Sequence, residues 1–246
     1  MTWYLPAATG LIGLAFAAVV AWKYHEKRRV QDLAWAGGLA AYGLVSLIEA
    51  WVSTNPWNPL LYRLYFPLAA ANVGLLGLGT LYLLWRERPP LGHAFAALVL
   101  SCTVLAATAQ LSTPFDTAAA LTLTVGGVEE TRPMGEWGTD LGFKAIPYGN
   151  PARWANLILN IAGGLALIGG AVWSFARTRH PGLALIAVGG LVVASGGSLA
   201  SLGVAEIRVL AQFLGVALMF GGFLLASRRP ETARTAEPEK PLEAPQ

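Results

Sequence analysis

The sequence predicts an all-α integral membrane protein: seven transmembrane helices, the amino terminus outside and the carboxyl terminus inside. Three observations lead there. Hydrophobic residues make up 55% of the 246 positions and charged residues 13%, with a mean hydropathy of +0.52. Soluble domains carry about 25% charge, so this chain could not coat a water-exposed surface, nor does it have the polar composition of a disordered one. The apolar residues gather in seven runs near twenty residues, the length that crosses roughly 30 Å of hydrocarbon as helix. The basic residues fall on one side of the resulting thread.

In order, the runs are Leu5–Trp22, Leu33–Val52, Leu60–Trp85, Leu91–Ala109, Trp154–Phe175, Leu183–Leu202 and Ile207–Ala226. Each is expected to be a helix, because backbone groups in hydrocarbon must bond within their own segment. The third is long enough to tilt, and Pro67 is placed to kink it. The first run is not a cleaved signal peptide: no positive region precedes it, and its charges follow it.

The connections set the orientation. One side holds Lys23, Lys27, Arg28, Arg29, Arg86, Arg88, Arg177, Arg179, Arg228, Arg229, Arg234 and Lys240, whereas the other holds Arg63, Arg132, Lys144, Arg153 and Arg208. The positive-inside rule puts the first set in the cytoplasm. It also explains the sequence pI of about 9.2 without a nucleic-acid partner. Aromatic residues mark both boundaries: Trp3, Tyr4, Trp51, Trp57, Tyr62, Tyr65 and Trp154 outside, and Trp22, Tyr24, Trp85 and Trp173 inside. The expected location is the bacterial cytoplasmic membrane, multi-pass.

The membrane domain covers residues 1–226. It includes an extracytoplasmic stretch, 111–152, with Asp116, Glu129, Glu130, Glu136 and Asp140. There the alternation over 120–125, followed by Gly126-Gly127, predicts a small hairpin. Trp137, Phe143, Ile146 and Tyr148 offer apolar material for a folded cap. Residues 227–246, rich in Pro, Glu and Ala, are expected to form a disordered cytoplasmic tail.

Helices one to three and five to seven run in the same directions, so a parallel triple-helix repeat is open, with the fourth helix as linker. Gly79–Arg86 can be laid on Gly221–Arg228, and Leu-Ile-Gly recurs at 11–13 and 167–169. This three-plus-one-plus-three plan resembles the SWEET-type sugar carriers and, more loosely, the rhodopsin-like seven-helix proteins. The resemblance lies in architecture over the seven helices, without a matched motif. The chain is also similar to uncharacterised seven-helix membrane proteins of bacteria. The carrier resemblance implies solute transport. It departs from that family's proline hinges, since Pro6 stands at the outer end of the first helix only. A retinal protein is excluded, because no lysine falls in any predicted span to form the Schiff base.

Intramembrane polar groups are costly and therefore informative. Glu49 lies near the outer end of the second helix, Arg63 at the outer start of the third, Glu206 and Arg208 at the start of the seventh, and Arg153 before the fifth. This set reads either as ion pairs tying helix ends together or as an outward-facing polar vestibule. The vestibule would hold an anionic or zwitterionic ligand, with Arg as the fork-shaped donor. Deeper in lie Asn72, about 13 Å beyond Arg63 at 1.5 Å per residue, then Asn160, Gln212 and the stripe Ser195, Ser198, Ser201. These suit interhelical hydrogen bonds or a polar lining. The candidate ligand-binding residues are thus Glu49, Arg63, Asn72, Asn160, Glu206, Arg208 and Gln212. Paired glycines at 163–164, 169–170, 189–190, 196–197 and 221–222 predict close helix packing.

Catalytic and metal chemistry find no support. The single cysteine, Cys102, sits in an apolar run and has no disulfide partner. His25, His93 and His180 lie at the inner ends, which disfavours a haem between helix histidines or a zinc site. Phosphate-binding, dinucleotide and nucleophile-elbow motifs are missing. The sequence therefore points to a small-solute carrier or channel without cofactor or catalysis. The alternative is a non-catalytic ligand sensor or assembly subunit of a membrane complex. Expected partners are the lipid bilayer, a small polar or anionic solute, and membrane-protein partners or a second copy of the chain.

Overall fold

A computed structural model describes residues 3–55, 58–85, 89–112, 122–125, 128–131, 151–200 and 205–227. Seven helices run in order: α1 (Tyr4–Lys27), α2 (Val30–Val52), α3 (Pro59–Leu84), α4 (Pro89–Ser112), α5 (Pro151–Thr178), α6 (Pro181–Ala200) and α7 (Ala205–Ser227). Between α4 and α5, β1 (Thr122–Val125) pairs antiparallel with β2 (Val128–Thr131). Val125 pairs with Val128 across the hairpin, and the expected turn at Gly126-Gly127 lies outside the described residues. The hairpin lies where the alternation predicts it. The expected cap formed by Trp137, Phe143, Ile146 and Tyr148 lies outside the described residues, as does the tail beyond Ser227.

Local chemistry explains the helix ends. Four helices open on proline, at Pro59, Pro89, Pro151 and Pro181, where the missing N–H costs no hydrogen bond. The Asn58 side chain caps α3 by accepting from the Leu61 N–H at 2.8 Å. The helix then runs unbroken through Pro67, which has no N–H to give the Arg63 carbonyl.

Two turns at the basic end share one design. Arg28 closes α1 with φ 50°, and Arg179 closes α5 with φ 55°. Each donates its backbone N–H to the carbonyl four residues back, Tyr24 and Phe175 respectively, at 2.7 Å. Each guanidinium lies over that same residue's ring, at 5.7 Å and 6.0 Å from the centroids.

These basic ends correct one expectation. The apolar run stops at Trp22, but α1 continues to Lys27, so Lys23 and Lys27 lie in a helix. Long cationic side chains extend toward water and suit the negative end of the helix dipole. No lysine lies in α7.

Six of the helices are long and apolar enough to cross a bilayer, and α6 is apolar over Pro181–Ser195. Large side chains such as Leu165 (72% exposed) and Trp22 (70% exposed) face outward, far more apolar surface than a water-soluble monomer shows. The chain is a polytopic membrane protein.

The helices pack as a ring. α1 meets α2, α2 meets α3, α3 meets α5, α5 meets α6, α6 meets α7, and α7 closes on α1. α4 lies outside the ring, against α3 and α5. Glycine sets several of these seams. Gly10 and Gly13 of α1 approach Gly43 of α2, and Gly77 of α3 lies against the backbone of Gly163 in α5. Gly189 meets Gly215, and Gly182 meets Gly222, between α6 and α7. In each of three glycine pairs only one member faces a neighbour: a Cβ on Gly164, Gly169 or Gly221 would meet open space, whereas Gly163, Gly170 and Gly222 are crowded.

Candidate ligand site

Polar groups gather first at the end opposite the basic turns. Glu49 is 4% exposed, and its Oε1 accepts a hydrogen bond from the Tyr65 hydroxyl at 2.8 Å. Val45, Ile48, Val52, Tyr62 and Phe66 surround this bond in an apolar cluster. Gln110, at the end of α4, is 0% exposed, and neither its Nε2 nor its Oε1 has a hydrogen-bond partner among the described residues. Arg63 is half-buried, and its Nε has no hydrogen-bond partner among the described residues. Asn72 is 6% exposed, and its Oδ1 likewise lacks a partner among them.

The remaining expected residues disperse. Asn160 is exposed and donates to the Asn156 carbonyl and side chain on its own helix, so it does not reach the bundle interior. Gln212 is half-buried, and its backbone carbonyl accepts from the Tyr42 hydroxyl at 3.3 Å, tying α2 to α7. Glu206 and Arg208 sit in the first turns of α7; their side chains lie outside the described residues.

A cavity of about 100 Å³ lies elsewhere, inside the ring toward the basic end. Six helices line it: Phe16 and Val20 of α1, Trp35 and Leu39 of α2, Leu76, Thr80 and Leu83 of α3, Leu167, Gly170, Ala171 and Ser174 of α5, Leu183 and Ile186 of α6, and Met219 and Phe223 of α7. None of these side chains is charged. No protein-family model, no curated protein and no solved structure matches this chain. The site must therefore be judged on its own geometry.

The wall is built by close fits. A Cβ on Gly79 would collide with the Trp35 indole, and one on Gly170 with the Thr80 methyl. These two glycines admit the side chains that give the cavity its polar atoms. Trp35 Nε1 donates to the Leu76 carbonyl at 3.2 Å and to Thr80 Oγ1 at 3.4 Å. The Thr80 hydroxyl itself donates to the Leu76 carbonyl at 3.0 Å. Phe16 stacks on Phe220 with centroids 4.8 Å apart and tilts against Phe223 at 5.1 Å, closing the α1–α7 seam. Lys23 Nζ lies 4.1 Å from the centre of the Phe223 ring.

The cavity residues were not legible as a site from sequence, because aromatic and aliphatic residues in a membrane helix are the background. Buried Asp32, 7% exposed, was the missed polar signal: it stands in an apolar helix three residues before Trp35.

Proposed function

We propose that this chain is a small-solute carrier in which α1–α3 and α5–α7 are two equivalent units closing around the central cavity. The cavity carries the reading, because the two units line it from corresponding positions. Phe16 and Val20 correspond to Leu167 and Ala171, and Trp35 to Ile186, each pair 151 positions apart like Arg28 and Arg179. Leu76 and Thr80 correspond to Met219 and Phe223, 143 positions apart. The helix seams agree with this register: Gly38 meets the Asn72 carbonyl and Leu76, and Gly189 meets the Gly215 carbonyl and Met219. In this register Gly79 corresponds to Gly222, one residue from the pairing with Gly221 that the sequence suggests. Gly13-Leu14-Ala15 corresponds to Gly164-Leu165-Ala166, in place of the recurring Leu-Ile-Gly.

Two like units with a cavity on their shared axis are the mechanical parts that alternating access needs. By the positive-inside rule the basic end faces the cytoplasm and the cavity lies in the cytoplasmic half. In this reading Glu49, Arg63 and Asn72 form the outer approach. We assign the chain no catalytic step.

A single cysteine in the cavity wall tests this. In a Cys102→Ala background, Leu39→Cys should react with a membrane-impermeant thiol reagent applied from either side of oriented vesicles. Reaction from one side alone would remove the carrier reading. The second reading, a ligand sensor or assembly subunit, draws on the backbone contact between Gly77 and Gly163, which resists rocking of one unit against the other.

A further inference from the structure

The two units match in position but not in chemistry, and the mismatch has a direction. Where α1–α3 place Lys23, Asp32, Trp35 and Thr80, the corresponding positions of α5–α7 hold Ser174, Leu183, Ile186 and Phe223. One side of the cavity therefore carries an indole N–H and a hydroxyl, both hydrogen-bonded to the Leu76 carbonyl, with Lys23 beside the wall, and the other is almost wholly apolar.

The polar side opens toward charge. On α1, Lys23 continues the stripe of Phe16 and Val20 one turn on, and on α5, Arg177 follows Ser174 at the same spacing. Lys23 and Asp32 lie within range of each other's charge, with Lys27 and Arg29 close by. Three cations, Lys23, Lys27 and Arg29, thus stand near two acids, buried Asp32 and exposed Glu26. The Lys23 ammonium rests on the face of Phe223, a ring that itself forms part of the cavity wall. The Lys23 ammonium has three N–H donors, so a carboxylate can accept from one of them beside the ring.

Size restricts the ligand. At about 100 Å³ the cavity is smaller than the void of about 150 Å³ that accepts a benzene ring, which favours a short alkyl chain over a ring. Among the described residues Lys23 is the cation shown against the apolar wall, so a single negative charge fits better than a dianion.

We propose that the cavity binds a small amphiphilic monocarboxylate, its apolar body between Phe16, Leu39 and Met219 and its carboxylate at Lys23. This rests on the reading of the cavity as the solute site and names the solute class.

The test uses the full chain in lipid nanodiscs, with equilibrium dialysis of labelled hexanoate, 1-hexanol and hexylammonium and with empty nanodiscs subtracted. Hexanoate should bind saturably. Hexanol should bind about tenfold more weakly, the difference of one charge-assisted hydrogen bond, and hexylammonium should bind more weakly still. Lys23→Gln should reduce hexanoate to the level of hexanol, and Lys23→Arg should restore the preference. Should Lys23→Gln fail to fold, Asp32→Asn serves instead and should tighten hexanoate.

Equal binding of hexanoate and hexanol by the wild type, or an unchanged ratio in Lys23→Gln, overturns the carboxylate assignment while the cavity reading stands. So does weaker hexanoate binding by Asp32→Asn. If none of the three probes binds saturably, or if Ala171→Phe, which fills the cavity, leaves binding intact, the cavity reading itself falls.

Discussion

Glu49 and Asn160 look alike in sequence, as polar residues inside apolar runs, yet they are opposites in the fold. The Glu49 carboxylate is sealed in an apolar cluster and takes the Tyr65 hydroxyl. Removing that donor with Tyr65→Phe should cost about 1–2 kcal/mol. That value lies between the yield of charged hydrogen bonds generally and the smaller one typical of membrane interiors, and it can be read from the unfolding midpoint in an SDS titration of mixed micelles. Asn160 bonds only within α5 and faces out, so Asn160→Ala should move the same midpoint by less than about 0.5 kcal/mol and leave ligand binding unchanged. Residue type showed where polar groups occur. It could not show which way they face, because a membrane helix turns apolar side chains both to lipid and to its neighbours, so hydropathy alone does not tell the inward face from the outward one. Lys23 was hidden for a related reason: hydropathy ends the first span at Trp22, whereas the helix keeps going for as long as its side chains can reach water.

At the scale of helices, adjacent glycines make a sharp comparison. Gly163→Ala would push a methyl into the Val73 carbonyl and force α3 and α5 apart. The expected loss is about 1–3 kcal/mol, the range for overpacked interiors. Gly164→Ala, one residue on, meets nothing and should be neutral or stabilising by up to about 1 kcal/mol through helix propensity. Equal effects from the two in thermal unfolding would contradict the α3–α5 seam. The glycine doublets are plain in the sequence, and so is the close packing they permit. Which member of each doublet makes contact depends on the rotation of the helix, and packing partners far along the chain decide that. The helix boundaries were legible to within a few residues because apolar length, prolines and charge clusters all mark them locally. The two arginine-closed turns were not: a left-handed φ at Arg28 and Arg179 leaves no compositional trace, since glycine or asparagine is the usual occupant.

For the whole molecule, the arrangement of charge makes a directional prediction. The basic turns after α1 and α5 belong to one end of the bundle, and in the sequence arginines also follow α3 and α7. A reporter fused after Gln246 should therefore be active in the cytoplasm and shielded from protease added outside intact cells. The opposite result would reverse the assigned sides of both the polar approach and the cavity. The helices themselves were legible from the lengths of the apolar runs. The closed ring, the exclusion of α4 from it and the cavity do not, because they arise from contacts between segments widely separated in sequence, such as Phe16 with Phe223.

The peripheral place of α4 bears on how the protein could be built. Every seam of the ring is made by residues on one or other side of the stretch 113–150, and α4 belongs wholly to the amino-terminal side. A gene cut within that stretch would yield two fragments, each ending in a finished helix. Made together in one cell, they should find one another in the bilayer, and either fragment should pull down the other without any peptide bond between them.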